Sequence, residues 1–171
     1  NGIKVDTTYT PEIVPVTPTA TPAETTDIQG ATQTGKPEFK GGTVTVDGVE
    51  KTVAINEDVP ATFDDGSTTK TVDGVGTYTV AADGTVTFVP EKSFTGPAPA
   101  VTVVREDKNG TKASATYTPT VTPVTPTAAP AESTDVQGAT QTGKPVFTEG
   151  NSRVPMNDDV AATFDDGSTT K

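Results

Sequence analysis

The sequence predicts an all-β protein: Ig-like antiparallel β-sandwich repeats in tandem, joined by Pro-rich linkers. Three observations carry that expectation. The chain contains itself almost twice, because Tyr9–Pro37 returns as Tyr117–Pro145, 108 residues later and with 23 of 29 positions identical. A period that long is a tandem domain rather than a solenoid turn. Composition points the same way. There is no Cys, His, Trp or Leu in 171 residues, and the hydrophobic fraction of 31% lies below the globular norm. β-Branched Val and Thr, with turn-forming Gly, Pro, Asp and Asn, are the vocabulary of short strands and tight turns. Finally, apolar residues alternate with period two and show no helical period.

A second repeated segment fixes the organisation. Asn56–Lys70 returns as Asn157–Lys171 at the shorter offset of 101. The chain therefore reads as a window on an array. Residues 1–11 would be the C-terminal strand of a preceding repeat, residues 12–119 one complete β-sandwich, and residues 120–171 a Pro-rich joint with the N-terminal half of the next repeat.

The joint comes first along the complete repeat. Thr10–Glu24 carries Pro11, Pro15, Pro18 and Pro22, and Thr118–Glu132 carries Pro119, Pro123, Pro126 and Pro130 in the same places. Proline at this density excludes helix and central strand and favours an extended, semi-stiff connector, so the joint is placed at about residues 10–24, running into the first edge strand. Next, Thr43–Val46, Asp47-Gly48 and Val49–Val53 form a hairpin signal, since Asp-Gly supplies the positive-φ pair of a type I′ turn. The following copy lacks this hairpin: it is seven residues shorter between Pro145 and Phe164 than the first copy between Pro37 and Phe63. An element that one copy deletes is peripheral to the core.

The second half of the repeat is the clearest. Gly76–Val80, the turn Ala81–Gly84 and Thr85–Val89 predict two alternating strands, with Tyr78, Val80, Val86 and Phe88 facing inward and threonines outward. Ala100–Val104 and Thr111–Thr118 form another pair across Glu106–Gly110, with Val101 and Val103 facing in beside Ala113, Ala115 and Tyr117. Strands at this spacing are those of a sandwich. Its predicted core is Val59, Phe63, Tyr78, Val80, Val86, Phe88, Phe94, Val101, Val103, Ala115 and Tyr117.

Charge and residue types limit the function. A net charge of −11 disfavours nucleic acid and anionic membranes as partners. Without Cys there is no disulfide framework, and without His the usual general base and metal ligand are missing. No nucleophile with a base and no phosphate-cradling Gly loop occurs, which argues against an enzyme. The acidic turns Asp47-Gly48, Asp64-Asp65-Gly66, Asp73-Gly74 and Asp83-Gly84 could bind Ca²⁺. They lack the D-x-[DN]-x-[DN]-G spacing, however, and tight turns demand the same residues; no metal or cofactor is implied. A Lys–Asn isopeptide bond beside a carboxylate is a further candidate. Lys36, Lys70, Asn56 and Asp58 would supply it, and they recur as Lys144, Lys171, Asn157 and Asp159. Asn109-Gly110-Thr111 fits the N-glycosylation pattern, but a hairpin turn explains it fully.

The run Thr62–Val124, together with PVTPTATPAETTDIQGATQTGKP at Pro15–Pro37, resembles the CshA-type fibril repeat of streptococcal cell-wall-anchored fibrillar adhesins. The resemblance covers essentially every residue and agrees in repeat length. It implies an extracellular protein on the surface of a Gram-positive bacterium, in which such repeats pack end to end as a stalk. A separate region would then bind host ligands such as fibronectin. The rival expectation is that the repeat itself binds host protein, glycan or another bacterial cell.

Overall fold

The computed structural model describes residues 2–171 and contains no helix among them. The strands of the complete repeat are β1 (Thr19–Thr21), β2 (Ala23–Ile28), β3 (Gln33–Gly35), β4 (Glu38–Lys40), β5 (Gly42–Val46), β6 (Val49–Val53), β7 (Thr62–Phe63), β8 (Thr69–Val72), β9 (Gly76–Val80), β10 (Val86–Pro90), β11 (Gly96–Pro97), β12 (Val101–Glu106) and β13 (Lys112–Thr122). Two more, β14 (Thr127–Ala129) and β15 (Val146–Thr148), belong to the second copy.

Two sheets build the sandwich. One has the order β3-β10-β9-β8, the other β11-β13-β12-β7 with β2 added to β13. The Asp-Gly and Ala-Ala-Asp-Gly turns dictate the hairpins. Asp47 and Gly48 sit at φ 50 and 75, the positive pair that a two-residue primed turn requires, and join β5 to β6. β9 and β10 pair antiparallel with Tyr78 opposite Phe88, and their rings lie 4.6 Å apart. Pairing of β12 with β13 sets Val101 opposite Tyr117 and Val103 opposite Ala115. The one parallel pair among the described residues joins the first long strand of the repeat to its last: β2 lies along β13 from Ala23 opposite Tyr117 to Ile28 opposite Thr122.

Alternation then delivers the core. Tyr78, Val80, Val86 and Phe88 come from one sheet, and Phe63, Val101, Val103, Ala115, Tyr117 and Val121 from the other; all are buried. Two expectations need correction. Val59 is 36% exposed, because its N–H closes a turn onto the Asn56 carbonyl and takes it out of strand alternation. Phe94 is only half-buried and packs at the core's margin, where its N–H closes a turn onto Glu91. Ala61, Ala98 and Val121 contribute to the core instead.

The Pro-rich stretch is divided. Residues 10–18 are in no strand, whereas 19–21 and 23–28 are β1 and β2, separated only by Pro22. β13 likewise runs to Thr122, three residues past the boundary drawn at 119. Pro119 sits inside this strand without breaking it. Its carbonyl accepts the Ala98 N–H, so its nitrogen faces β11, and the ladder to β2 loses no donor.

Candidate functional site

No concave site dominates the molecule, and its most specific polar construction lies between the first and last strands of the repeat. Thr25 on β2 stands opposite Pro119 on β13. Its hydroxyl donates to Gln33 Oε1 at 2.6 Å and lies 2.7 Å from Tyr117 Oη. A threonine has one proton to give, so Tyr117 donates in the second bond. Burial raises the Tyr117 phenol above its ordinary pKa despite the Thr25 hydrogen bond, which keeps that proton in place. Gln33 is 4% exposed, and its Nε2 donates to the Thr120 carbonyl at 2.9 Å. The three side chains thus tie β2, β3 and β13 together, across both sheets. Gly35 makes room for them, since a Cβ there would lie 2.1 Å from Tyr117 Cε2.

A second construction lies where the chain leaves β13. Gln29, just past β2, donates its backbone N–H to Thr122 at 2.8 Å and its Nε2 to the Lys92 carbonyl at 2.8 Å. Its Oε1 accepts the Val124 N–H at 3.2 Å, so one side chain pins the start of the next copy. Nearby, Arg153 of that copy forks onto Asp27, with Nη1–Oδ1 at 2.8 Å and Nη2–Oδ2 at 3.1 Å. The guanidinium holds the Asp27 carboxyl below its ordinary pKa.

Both lysines proposed for an isopeptide bond are paired elsewhere than with Asn56 or Asp58. Lys36 pairs with Asp83 at 3.0 Å, and Lys70 pairs with Asp64 and lies over the Phe63 ring at 5.5 Å. Asn56 instead accepts the Asp58 N–H at 3.2 Å, as a turn residue. The acidic turns also spend their oxygens locally. Asp83 binds the Thr85 N–H and hydroxyl, and these bonds with the Lys36 ion pair bring its pKa down to about 2, the Thr85 N–H contributing most. Asp65 similarly caps Ser67.

Buried Gln33, Arg105 and Asp107 escaped the sequence reading. Arg105 pairs with Glu57 at 3.0 Å beside a cleft of about 700 Å³ that Lys36, Phe39 and Asp83 also line. Asp107 Oδ1 accepts the N–H groups of Asn109 and Thr111, both at 2.9 Å, and so shapes the Glu106–Gly110 turn. One signal could have found the Thr25–Gln33 pair. The second copy keeps it in kind as Ser133 and Gln141, with the hydroxyl donating at 2.7 Å.

Comparison with known proteins places this architecture. The family model described as the surface adhesin CshA repetitive domain matches residues 15–121 and again 123–171. Among solved structures, the NMR structure of repeat domain 13 of the fibrillar adhesin CshA from Streptococcus gordonii is 58% identical; the match covers 39% of this chain and 86% of that one, with a TM-score of 0.23. No curated protein matches. Repeats of this kind are parts of a cell-surface adhesin, a non-catalytic class of protein. With both the complete copy and the partial one matched, the chain belongs to the CshA surface-adhesin repeat family.

Proposed function

We propose that this chain is a segment of stalk, whose repeats project and space a distal adhesive region away from the cell wall to which the parent protein is anchored. The parallel pairing of β2 with β13 supports this reading above all. The incoming chain meets the pair at Ala23 and the outgoing chain leaves it at Thr122, at opposite ends of about 20 Å of strand. Each repeat then hands the chain on in the direction it arrived. Pro spacing retained at both joints limits bending between repeats. A net charge of −11 adds mutual repulsion, which favours extended fibrils. Small-angle scattering of the whole chain tests the reading. An elongated particle is expected; a compact one sinks it.

A further inference from the structure

The ends of the repeat sit in a particular geometry. β2 and β13 are adjacent and parallel; β13 is the last strand before the outgoing chain, and only the three-residue β1 and Pro22 separate β2 from the incoming chain. Tension on the chain pulls β2 backward from Ala23 and β13 forward from Thr122. The two strands are thereby driven past each other along their axes. Every backbone bond from the Ala23–Tyr117 position to the Ile28–Thr122 position must then yield together. An antiparallel terminal pair would place both points of attachment at one end, and its bonds would open in turn.

Side chains reinforce the same seam. The Thr25 hydroxyl is held by Tyr117 of β13 and by Gln33 of β3, while Gln33 grips the Thr120 carbonyl. Gln29 extends the grip past the end of β2 through the Thr122 carbonyl, the Lys92 carbonyl and the Val124 N–H. β1, directly before β2, pairs with β4, so the incoming chain is also held lengthwise there. The side chains of this clasp come from positions as much as 92 residues apart in sequence, whereas the buried Asp107 of the β12–β13 hairpin ties only its own turn, through Asn109 and Thr111.

We propose that the β2–β13 seam is a shear clamp that lets each repeat bear tension along the chain without unfolding. The proposal rests on the stalk reading only for the source of the load. In this clamp resistance comes from hydrogen bonds loaded in parallel, whose rupture under force is governed by the unfolding rate.

Single-molecule force spectroscopy on the full chain tests it. The sequence has no cysteine, so two introduced cysteines are unique handles. Glu12→Cys with Pro126→Cys loads the seam lengthwise, whereas Thr32→Cys with Pro126→Cys pulls both strands from the same end. All three positions are exposed. At equal loading rate the lengthwise pair should rupture at several-fold higher force. Thr25→Val and Tyr117→Phe should lower the lengthwise force and leave the same-end force unchanged. Equal force in the two directions overturns the clamp, and it does so with only surface residues altered. A compact scattering profile, by contrast, would overturn the stalk while leaving a directional force difference intact.

Discussion

The same residues occur twice in this molecule under opposite conditions. Phe63 and Phe164 lie in the identical run TFDDGSTTK, yet one is 1% exposed and the other 48%. Their neighbours scarcely differ: Lys70 and Lys171 each lie 5.5 Å over the preceding ring and pair with the preceding Asp-Asp. β14 and β15 also repeat the register of β1 and β4, with Thr127 opposite Thr148 where Thr19 faces Lys40. Turns, ion pairs and a short ladder are thus specified locally. Burial is not: Phe63 is covered by the side chains that β9, β10, β12 and β13 bring to the core of the first copy.

Substitution at equivalent positions would break this contrast most directly. Phe63→Ala should cost about 3–5 kcal/mol, since it leaves a cavity in a packed core. Phe164→Ala should change stability by less than about 0.5 kcal/mol. Urea denaturation of the two variants measures both, and equal effects would show that the second copy is packed after all.

Alkaline titration sharpens the comparison, because the buried tyrosines belong to the complete repeat alone. Burial pushes the Tyr78 pKa up to about 12, whereas an unfolded tyrosine ionises near 10. Between those values the unfolded state sheds a proton that the folded state keeps. Stability is therefore whole below pH 10 and falls as pH rises, by about 2 kcal/mol at pH 12. Tyrosinate absorbance from the buried ring should consequently appear together with loss of β-sheet circular dichroism.

Smaller effects follow from the clasp. Gly35→Ala drives a methyl into Tyr117 and should cost about 1–3 kcal/mol. Its equivalent Gly143→Ala meets only Ala131 Cβ at 3.8 Å and should leave the denaturation midpoint unchanged. Thr25→Val strands Gln33 Oε1 and Tyr117 Oη in the interior, for about 1–3 kcal/mol, whereas Ser133→Ala, at an exposed position, should be neutral. Smallest of all is Arg153→Ala. Its ion pair with Asp27 is solvated, so the unfolding midpoint should stay put while cross-repeat contacts near Asp27, read by amide chemical shifts, change.

Legibility in the sequence followed the reach of the interactions. The β5–β6 and β9–β10 hairpins were readable, since Asp-Gly turns and period-two alternation act within a dozen residues. So was most of the core, from Tyr78 to Tyr117. The parallel seam was not, because Thr25 and Tyr117 stand 92 residues apart and Ala23–Ile28 is polar at four consecutive positions, Glu24 to Asp27, with no alternation to read. Val59 misled for a related reason: an apolar residue in a closed turn has no face to bury. Gln33, Arg105 and Asp107 were hidden by their type, since polar side chains are rarely counted toward an interior unless their partners are known.

The β5–β6 hairpin pairs only with itself, and its Asp47–Gly48 tip projects into solvent. The second copy replaces it with a tight turn that bridges Asn151 to Val154 and carries Arg153. Variation at this one loop therefore changes what a repeat displays and how it meets its predecessor, while the sandwich behind it is untouched. Two copies can thus differ on one flank while sharing the turns and short ladder that surround it.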